Sequence, residues 1–241
     1  MLCCFAAGTK EPALSDLLPC VEFEPEGPAE GSVLWLHGLG ASGHDFEDIV
    51  PLLGRPRTRF VFPHAPQRAV TINMGLIMPA WYDILSLGSR ALEDERGIRA
   101  SAALIEALIA REEQRGVPSS RTILAGFSQG GALALFVGTR YARPLLGLMV
   151  FSGYELLAAT REAEASPANR ATPMLFCHGT QDPLVPIEGG RRAFEAFAAP
   201  GRDAEWHEFP MAHQMCMQEI ERIRDWLETR FVGVPGPAPA P

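Results

Sequence analysis

The sequence predicts an α/β fold, a doubly wound and mostly parallel sheet with helices on both faces, and two observations carry that prediction. Short apolar runs at residues 33–36, 59–62, 122–125, 148–151, 174–177 and 206–209 alternate with longer helical patterns. Several of these runs are apolar at consecutive positions, the pattern of strands covered on both sides. Strand and helix taking turns along the chain implies parallel strands joined by crossovers.

The helical stretches are 46–53, 97–115, 130–141, 188–199 and 215–230. In the second, Ile98, Ala102, Ile105, Leu108 and Ile109 share one face, with acidic and basic residues on the other. The folded unit is expected to be one domain, 18–232. Residues 1–17 have no core-forming pattern, and 233–241, rich in proline, read as an extended tail.

Composition narrows the function. The chain has 241 residues, 47% of them hydrophobic, enough for a sizeable core. A formal net charge of -8 and a pI near 5.3 argue against a nucleic-acid partner. No apolar run approaches the ~20 residues of a membrane-spanning helix, so stable membrane insertion is not expected. The five cysteines are scattered without zinc-ligand spacing, and a core of this size needs no disulfides. A reducing compartment, the cytoplasm, is the expected location. Cys3 and Cys4 are read as free thiols in a loose N-terminus, S-acylation being the alternative.

In a doubly wound sheet the chemistry gathers beyond the carboxyl ends of the strands. After the run 122–125 comes Gly126-Phe127-Ser128-Gln129-Gly130-Gly131, leading into a helix. This is the G-x-S-x-G nucleophile elbow of α/β-hydrolases: small residues permit a sharp strand-to-helix turn that lifts the serine oxygen into the cleft. The same turn presents the N–H of Gln129 to a developing oxyanion.

A serine hydroxyl needs a base, and in this fold the order is serine, then acid, then histidine. Downstream of Ser128 stand His178, His207 and His213. His207 lies within a strand pattern, and His178 precedes the best acid, so it reads as a structural turn residue. His213 follows the last strand and precedes the last helix, which suits a base. Asp182 follows the run 174–177, and Pro183 after it disfavours helix. Its expected task is to hold the imidazole tautomer and stabilise the imidazolium.

A second oxyanion N–H is expected from His37-Gly38-Leu39-Gly40-Ala41-Ser42-Gly43 after an early strand, with His37 bracing that loop. The loop lacks the Gly-Lys-Ser/Thr ending and the acidic partner of nucleotide sites. No cofactor is implied.

These motifs make the chain resemble the phospholipase/carboxylesterase family, which includes bacterial carboxylesterases and acyl-protein thioesterases. The likeness runs through Leu36-His37-Gly38-Leu39-Gly40-Ala41, Phe62-Pro63-His64-Ala65-Pro66, Val70-Thr71-Ile72-Asn73, Ala80-Trp81-Tyr82-Asp83-Ile84, the elbow, His178-Gly179-Thr180-Gln181-Asp182-Pro183 and the His213 loop. The resemblance implies a Ser128–Asp182–His213 triad, oxyanion amides at Leu39 and Gln129, and an acyl groove along residues 71–81. The composition of that stretch, with Met74, Leu76, Ile77, Met78 and Trp81, suits an acyl chain. The sequence departs from the family pattern at three positions. Met74 and Ala212 stand where glycine is usual, and Pro79 where arginine is usual. The first and last of the stretch-71–81 departures, Met74 and Pro79, are expected to reshape or narrow the groove.

The expected activity is hydrolysis of carboxylic esters of short to medium acyl chains through an acyl-enzyme. Thioester cleavage on lipidated proteins or lysophospholipid hydrolysis is the nearest alternative. A catalytically silent binding scaffold is a reading of another class, and no triad member is missing to support it. A metal-dependent hydrolase would need a His/Asp ligand cluster that the sequence lacks. The partner is a small ester or acyl-thioester. A homodimer is compatible with the resemblance, with no interface legible in the sequence.

Overall fold

The computed structural model describes residues 17–86, 92–198 and 201–232. Residues 1–16, with Cys3 and Cys4, the tail 233–241, and Ala199 at the end of one expected helix lie outside them. The six expected strands all form, as β2 (Gly31–Leu36), β3 (Thr58–Pro63), β6 (Thr122–Phe127), β7 (Gly147–Phe151), β8 (Met174–Gly179) and β9 (Ala204–Phe209). With β1 (Cys20–Phe23) they make a seven-stranded sheet ordered β1-β3-β2-β6-β7-β8-β9. β1 is antiparallel to β3, and every other pair is parallel.

The all-apolar strands are those buried on both faces. On one side lie α2 (Glu95–Gln114), α3 (Gln129–Arg140) and α5 (Ile187–Phe197), contributing Ile98, Ile105, Leu133, Phe136 and Phe197 to one core. On the other lie α1 (Val50–Leu53) and α6 (Met217–Phe231), contributing Leu53, Ile223, Trp226, Leu227 and Phe231 to a second. Each such side chain, once fully buried, contributes about 1.5–3 kcal/mol. A short α4 (Arg161–Glu164) packs at the periphery.

Three local readings change. The helix expected over 46–53 is a 3-10 turn, Gly43–Ile49, followed by the single α turn of α1, which begins against Pro51. β1 was not expected. Residues 71–79 of the stretch 71–81, expected to form an acyl groove, belong to a two-stranded antiparallel hairpin of β4 (Gln67–Val70) and β5 (Leu76–Pro79), separate from the main sheet. Among the described residues no helix is long and apolar enough to cross a membrane, and Cys20, Cys177 and Cys216 are free thiols.

Candidate active site

Ser128 stands between β6 and α3 with φ 56° and ψ -119°, a conformation that costs a non-glycine residue about 1–3 kcal/mol. The neighbours hold it there. Its N–H donates to Phe151 O on β7 at 2.8 Å, and its carbonyl accepts from Ala132 N–H at 3.0 Å. A β-carbon at Gly126 would collide with the backbone of Gly130, and one at Gly130 would strike the carbonyl oxygens of Leu36 and His37. The two glycines of the motif are therefore packing requirements of the turn. The helix behind it, α3, is buried along almost its whole length, so the turn cannot relax outward.

Beyond β8 and β9 two loops are laced together. Thr180 N–H donates to Phe209 O at 2.8 Å, and Gln181 N–H to Met211 O at 3.1 Å. This brings Asp182 to His213, whose Nδ1–H donates to Asp182 Oδ2 at 2.6 Å. The other carboxylate oxygen, Oδ1, accepts the N–H groups of Leu184 and Val185, each at 2.9 Å. Burial by itself would raise the Asp182 pKa, but the bonds from His213, Val185 and Leu184 outweigh it and hold the carboxyl below its ordinary 3.8. An ionised carboxylate only accepts, so the proton between them sits on Nδ1. That leaves Nε2 as an acceptor, and Ser128 Oγ lies 2.9 Å from it. The ring of Phe127 supports the imidazole, with centroids 4.7 Å apart.

The departure at Ala212 is accommodated. The residue is exposed and is not among the described non-glycine residues with positive φ. His178, read as a structural turn residue, is the buried next-to-last residue of β8. Its Nε2–H donates to Val185 O at 2.9 Å, and burial depresses its basicity. It thus braces the segment that grips Asp182. His207 lies on β9 and pairs with Glu205 at 3.0 Å.

The loop after β2 faces the elbow. His37 is fully buried; its Nε2 accepts from Ala65 N–H at 3.0 Å, which assigns the ring proton to Nδ1, 2.7 Å from Gly38 O. Burial keeps this ring neutral by pulling its basicity down. Gly40 N–H donates to Pro79 O at 2.8 Å. Between these ties, neither Leu39 N–H nor Gln129 N–H donates to an acceptor among the described residues.

Sequence reasoning saw the Gln129 backbone and missed its side chain. Gln129 is buried; its Oε1 accepts from Trp81 N–H at 2.9 Å and its Nε2 donates to Tyr82 O at 2.7 Å. The elbow and the end of the hairpin segment are thereby clamped together. Asp83 completes the anchor, accepting from Thr71 N–H at 2.7 Å and Thr71 Oγ at 2.6 Å. No local signal in the sequence pointed to the Gln129 side chain.

Of the five residues expected along an acyl chain, four lie on the hairpin. Met74, Leu76 and Ile77 are 98%, 63% and 68% exposed, while Met78 is half-buried, its sulfur beside Gly40. Trp81 is different: it is fully buried, packs against the His37 ring with centroids 5.2 Å apart and planes tilted by 41°, and donates its indole N–H to His37 O at 2.8 Å. It sits beneath the loop and offers no open face to a ligand. Met74 has φ 56° and is followed by Gly75 at φ 76°, which explains why a glycine would suit position 74.

A surface groove of about 380 Å³ between α2 and α3, lined by Arg99, Glu106, Phe136 and Arg140, lies more than a helical turn along α3 from Ser128. It has no connection to the residues above.

Comparisons with known proteins give the chain's family and fold. The model of the family described as Phospholipase/Carboxylesterase matches residues 20–231. The chain is 36% identical over 212 residues to acyl-protein thioesterase 1 of Gibberella zeae, covering 83% of this chain and 90% of that one. It is similar in structure to Zea mays acyl-protein thioesterase 2, at a TM-score of 0.79 and 28% identity, covering 88% of this chain and 99% of the other. Arabidopsis thaliana SOBER1 is similar at a TM-score of 0.78 and 29% identity, with 83% and 98% covered. The chain belongs to the phospholipase/carboxylesterase family and is a hydrolase of the α/β-hydrolase fold.

Proposed function

We propose that the protein is a serine carboxylesterase acting on short to medium acyl chains, with Ser128 as nucleophile, His213 as general base and Asp182 as its orienting acid. The observation that carries this reading is the unbroken line from Asp182 Oδ2 through His213 to Ser128 Oγ, at 2.6 and 2.9 Å. In the acylation half, Ser128 Oγ bonds to the carbonyl carbon as its proton passes to His213 Nε2. The Asp182 carboxylate stabilises the imidazolium. The oxyanion is met by the N–H groups of Leu39 and Gln129, assisted by the N-terminus of α3. The tetrahedral species collapses, the leaving oxygen or sulfur departs with the proton from His213, and Ser128 is left acylated. Water then adds to the acyl carbonyl, again losing its proton to His213, and the free acid and Ser128 hydroxyl are restored.

Met78 beside the Leu39 loop and the exposed apolar hairpin supply the acyl side of this reading. The same machinery serves a thioester, since the groove and not the triad sets leaving-group and chain preference. Cleavage of acyl-thioesters on proteins is therefore the second reading, favoured by the name of the Gibberella zeae relative. A cytoplasmic location belongs to the proposal and rests on the free thiols.

The test is hydrolysis of p-nitrophenyl esters from acetyl to palmitoyl, beside a palmitoyl-thioester peptide, by wild type and Ser128→Ala. Turnover peaking at short to medium chains and lost by at least about 10⁴-fold in Ser128→Ala is the expected result. Preference for palmitoyl and the thioester moves the assignment to protein deacylation. Undiminished labelling of Ser128→Ala by a fluorophosphonate probe overturns the nucleophile.

A further inference from the structure

Residues 37–43, which carry Leu39, are fastened to their surroundings at three points. His37 binds Gly38 O and Ala65 N–H before Leu39, and Gly40 N–H holds Pro79 O just after it. The third tie closes the far end: Gly43 N–H donates to His64 Nδ1 at 3.2 Å. Gly43 is buried, and its N–H has no other acceptor among the described residues. A β-carbon there would run into the carbonyl of Phe62, so Gly43 is pressed against the end of β3. His64 is in turn fixed by its own N–H, which donates to Pro19 O at 2.8 Å.

A ring nitrogen accepts a hydrogen bond only while it carries no proton. The third tie therefore exists only with a neutral His64 bearing its proton on Nε2. We propose that His64 is a positioning residue for the reaction: its neutral ring anchors the loop that presents Leu39 N–H, and protonation of His64 frees the loop and withdraws that donor. This rests on the reading of Leu39 as an oxyanion donor.

The groups around His64 favour the neutral ring. His44, on the 3-10 turn Gly43–Ile49, has its ring centroid 5.2 Å away and is itself bonded to Glu47. On the same turn Asp45 is engaged by Ser42 N–H and Oγ. On the loop, His37 is buried and neutral. From the segment before β1 only the Pro19 carbonyl meets His64, through its backbone. Partial burial first, and then His44, push the His64 basicity below its ordinary 6.5. Release thus belongs to the acid side of the activity profile, where protonation of His213 also stops the reaction. With a single essential base, log(kcat/KM) falls with a slope of about one on that side, whereas two groups that must both be neutral give about two.

The experiment measures kcat and KM on a p-nitrophenyl ester from pH 4 to 9 for wild type, His64→Asn, His64→Ala and Ser128→Ala. Asparagine sets an amide oxygen near the position of Nδ1, accepts the same N–H and does not titrate. The expected results are a limiting acid slope near two in wild type, reduced by one in His64→Asn, whose kcat at pH 8 stays within about twofold of wild type. His64→Ala lowers kcat at pH 8 by about 10²–10³-fold with KM little changed, the signature of a lost transition-state donor, and a loss of that size sustains the slope near two down to pH 4. An acid slope in His64→Asn equal to that of wild type overturns the inference, and the slope decides even where His64→Ala does not fold. If Ser128→Ala keeps its turnover, the reading of the whole site fails and the inference with it. A dead Ser128→Ala with an unchanged His64→Asn slope overturns the inference alone.

Discussion

The strand-end site and the β4–β5 hairpin are neighbours built on opposite rules. At the strand ends the side chains that shape the site are fully engaged: Asp182 receives three hydrogen bonds, His37 uses both ring nitrogens, and the Gln129 amide is bonded at both ends. On the hairpin, large apolar side chains stand in solvent at Met74, Leu76 and Ile77. Its fastenings to the body, at Pro79, Trp81 and Asp83, are made at its base. The reacting groups are thus set by the core of the sheet, and the hairpin can vary without moving them. On the proposed reading, chemistry and selectivity are separable because they are supported by different parts of the chain.

The sharpest way to break that separation is at Asp182. Asp182→Asn keeps the shape and loses the charge that assigns the His213 proton to Nδ1. We expect kcat to fall by about 10²–10⁴-fold for every acyl length alike. A loss confined to long chains would mean that the acid also shapes the groove.

A smaller and opposite effect is expected from the hairpin. The double change Leu76→Ser with Ile77→Ser should lower kcat/KM for octanoyl and longer esters by about 10-fold, equivalent to two buried methylenes. Acetyl ester turnover should stay within about twofold. Equal losses on both would show that the hairpin supports the site as well as the substrate.

The smallest effect is on stability. Glu219, at the first turn of α6 and three residues after Cys216, is fully buried with neither carboxylate oxygen hydrogen-bonded among the described residues. Burial raises its pKa from 4.5 to about 8, against a weaker opposing pull from the nearby Cys216 backbone. A raised folded value makes the contribution to stability complete below 4.5 and lost as pH climbs through about 8. The melting temperature of wild type should therefore drop between pH 7 and 9, and Glu219→Gln should remove most of that drop, a difference of several degrees. His37, His64 and His178, with depressed values, act with the reverse sign: their contribution is lost as pH falls below 6.5. Parallel melting curves of wild type and Glu219→Gln across pH 7–9 would show that water reaches the Glu219 carboxyl.

Burial on both faces made most of the fold readable. Five of the parallel strands, β2, β3, β6, β7 and β8, are mostly apolar and buried, so their existence followed from composition, whereas β9, Ala-Glu-Trp-His-Glu-Phe, is half-buried and was legible from its interleaved aromatic and polar residues. The strand ends were not legible: β6 runs on through Gly126-Phe127 and β8 through His178-Gly179, residues that read locally as turn. β1 escaped because it is a four-residue edge strand, half-buried throughout, whose Cys-Val-Glu-Phe needs the pairing with β3 to be defined. The hairpin escaped because its strands carry Gln67 and Arg68 in one arm and exposed side chains in the other, with no buried face to impose a period. Ser128, Asp182 and His213 were legible from motif order along the chain. The Gln129 clamp on Trp81 and Tyr82 joins positions 48 and 47 residues apart and had no local signature.

The crossover topology has a consequence for assembly. Ser128 and His213 are 85 residues apart, and Asp182 and His213 are 31 apart, each borne by a different strand of the β6-β7-β8-β9 half. Closing loops of that length carries an entropic cost that only completed long-range pairing repays. The nucleophile turn can therefore form early, as a local unit of β6 and α3, while the base reaches it only after β9 has docked. Ribosomal synthesis runs in the same direction, so Ser128 emerges 85 residues ahead of His213, and on the proposed reading hydrolytic competence arrives with nearly the last secondary structure to be made.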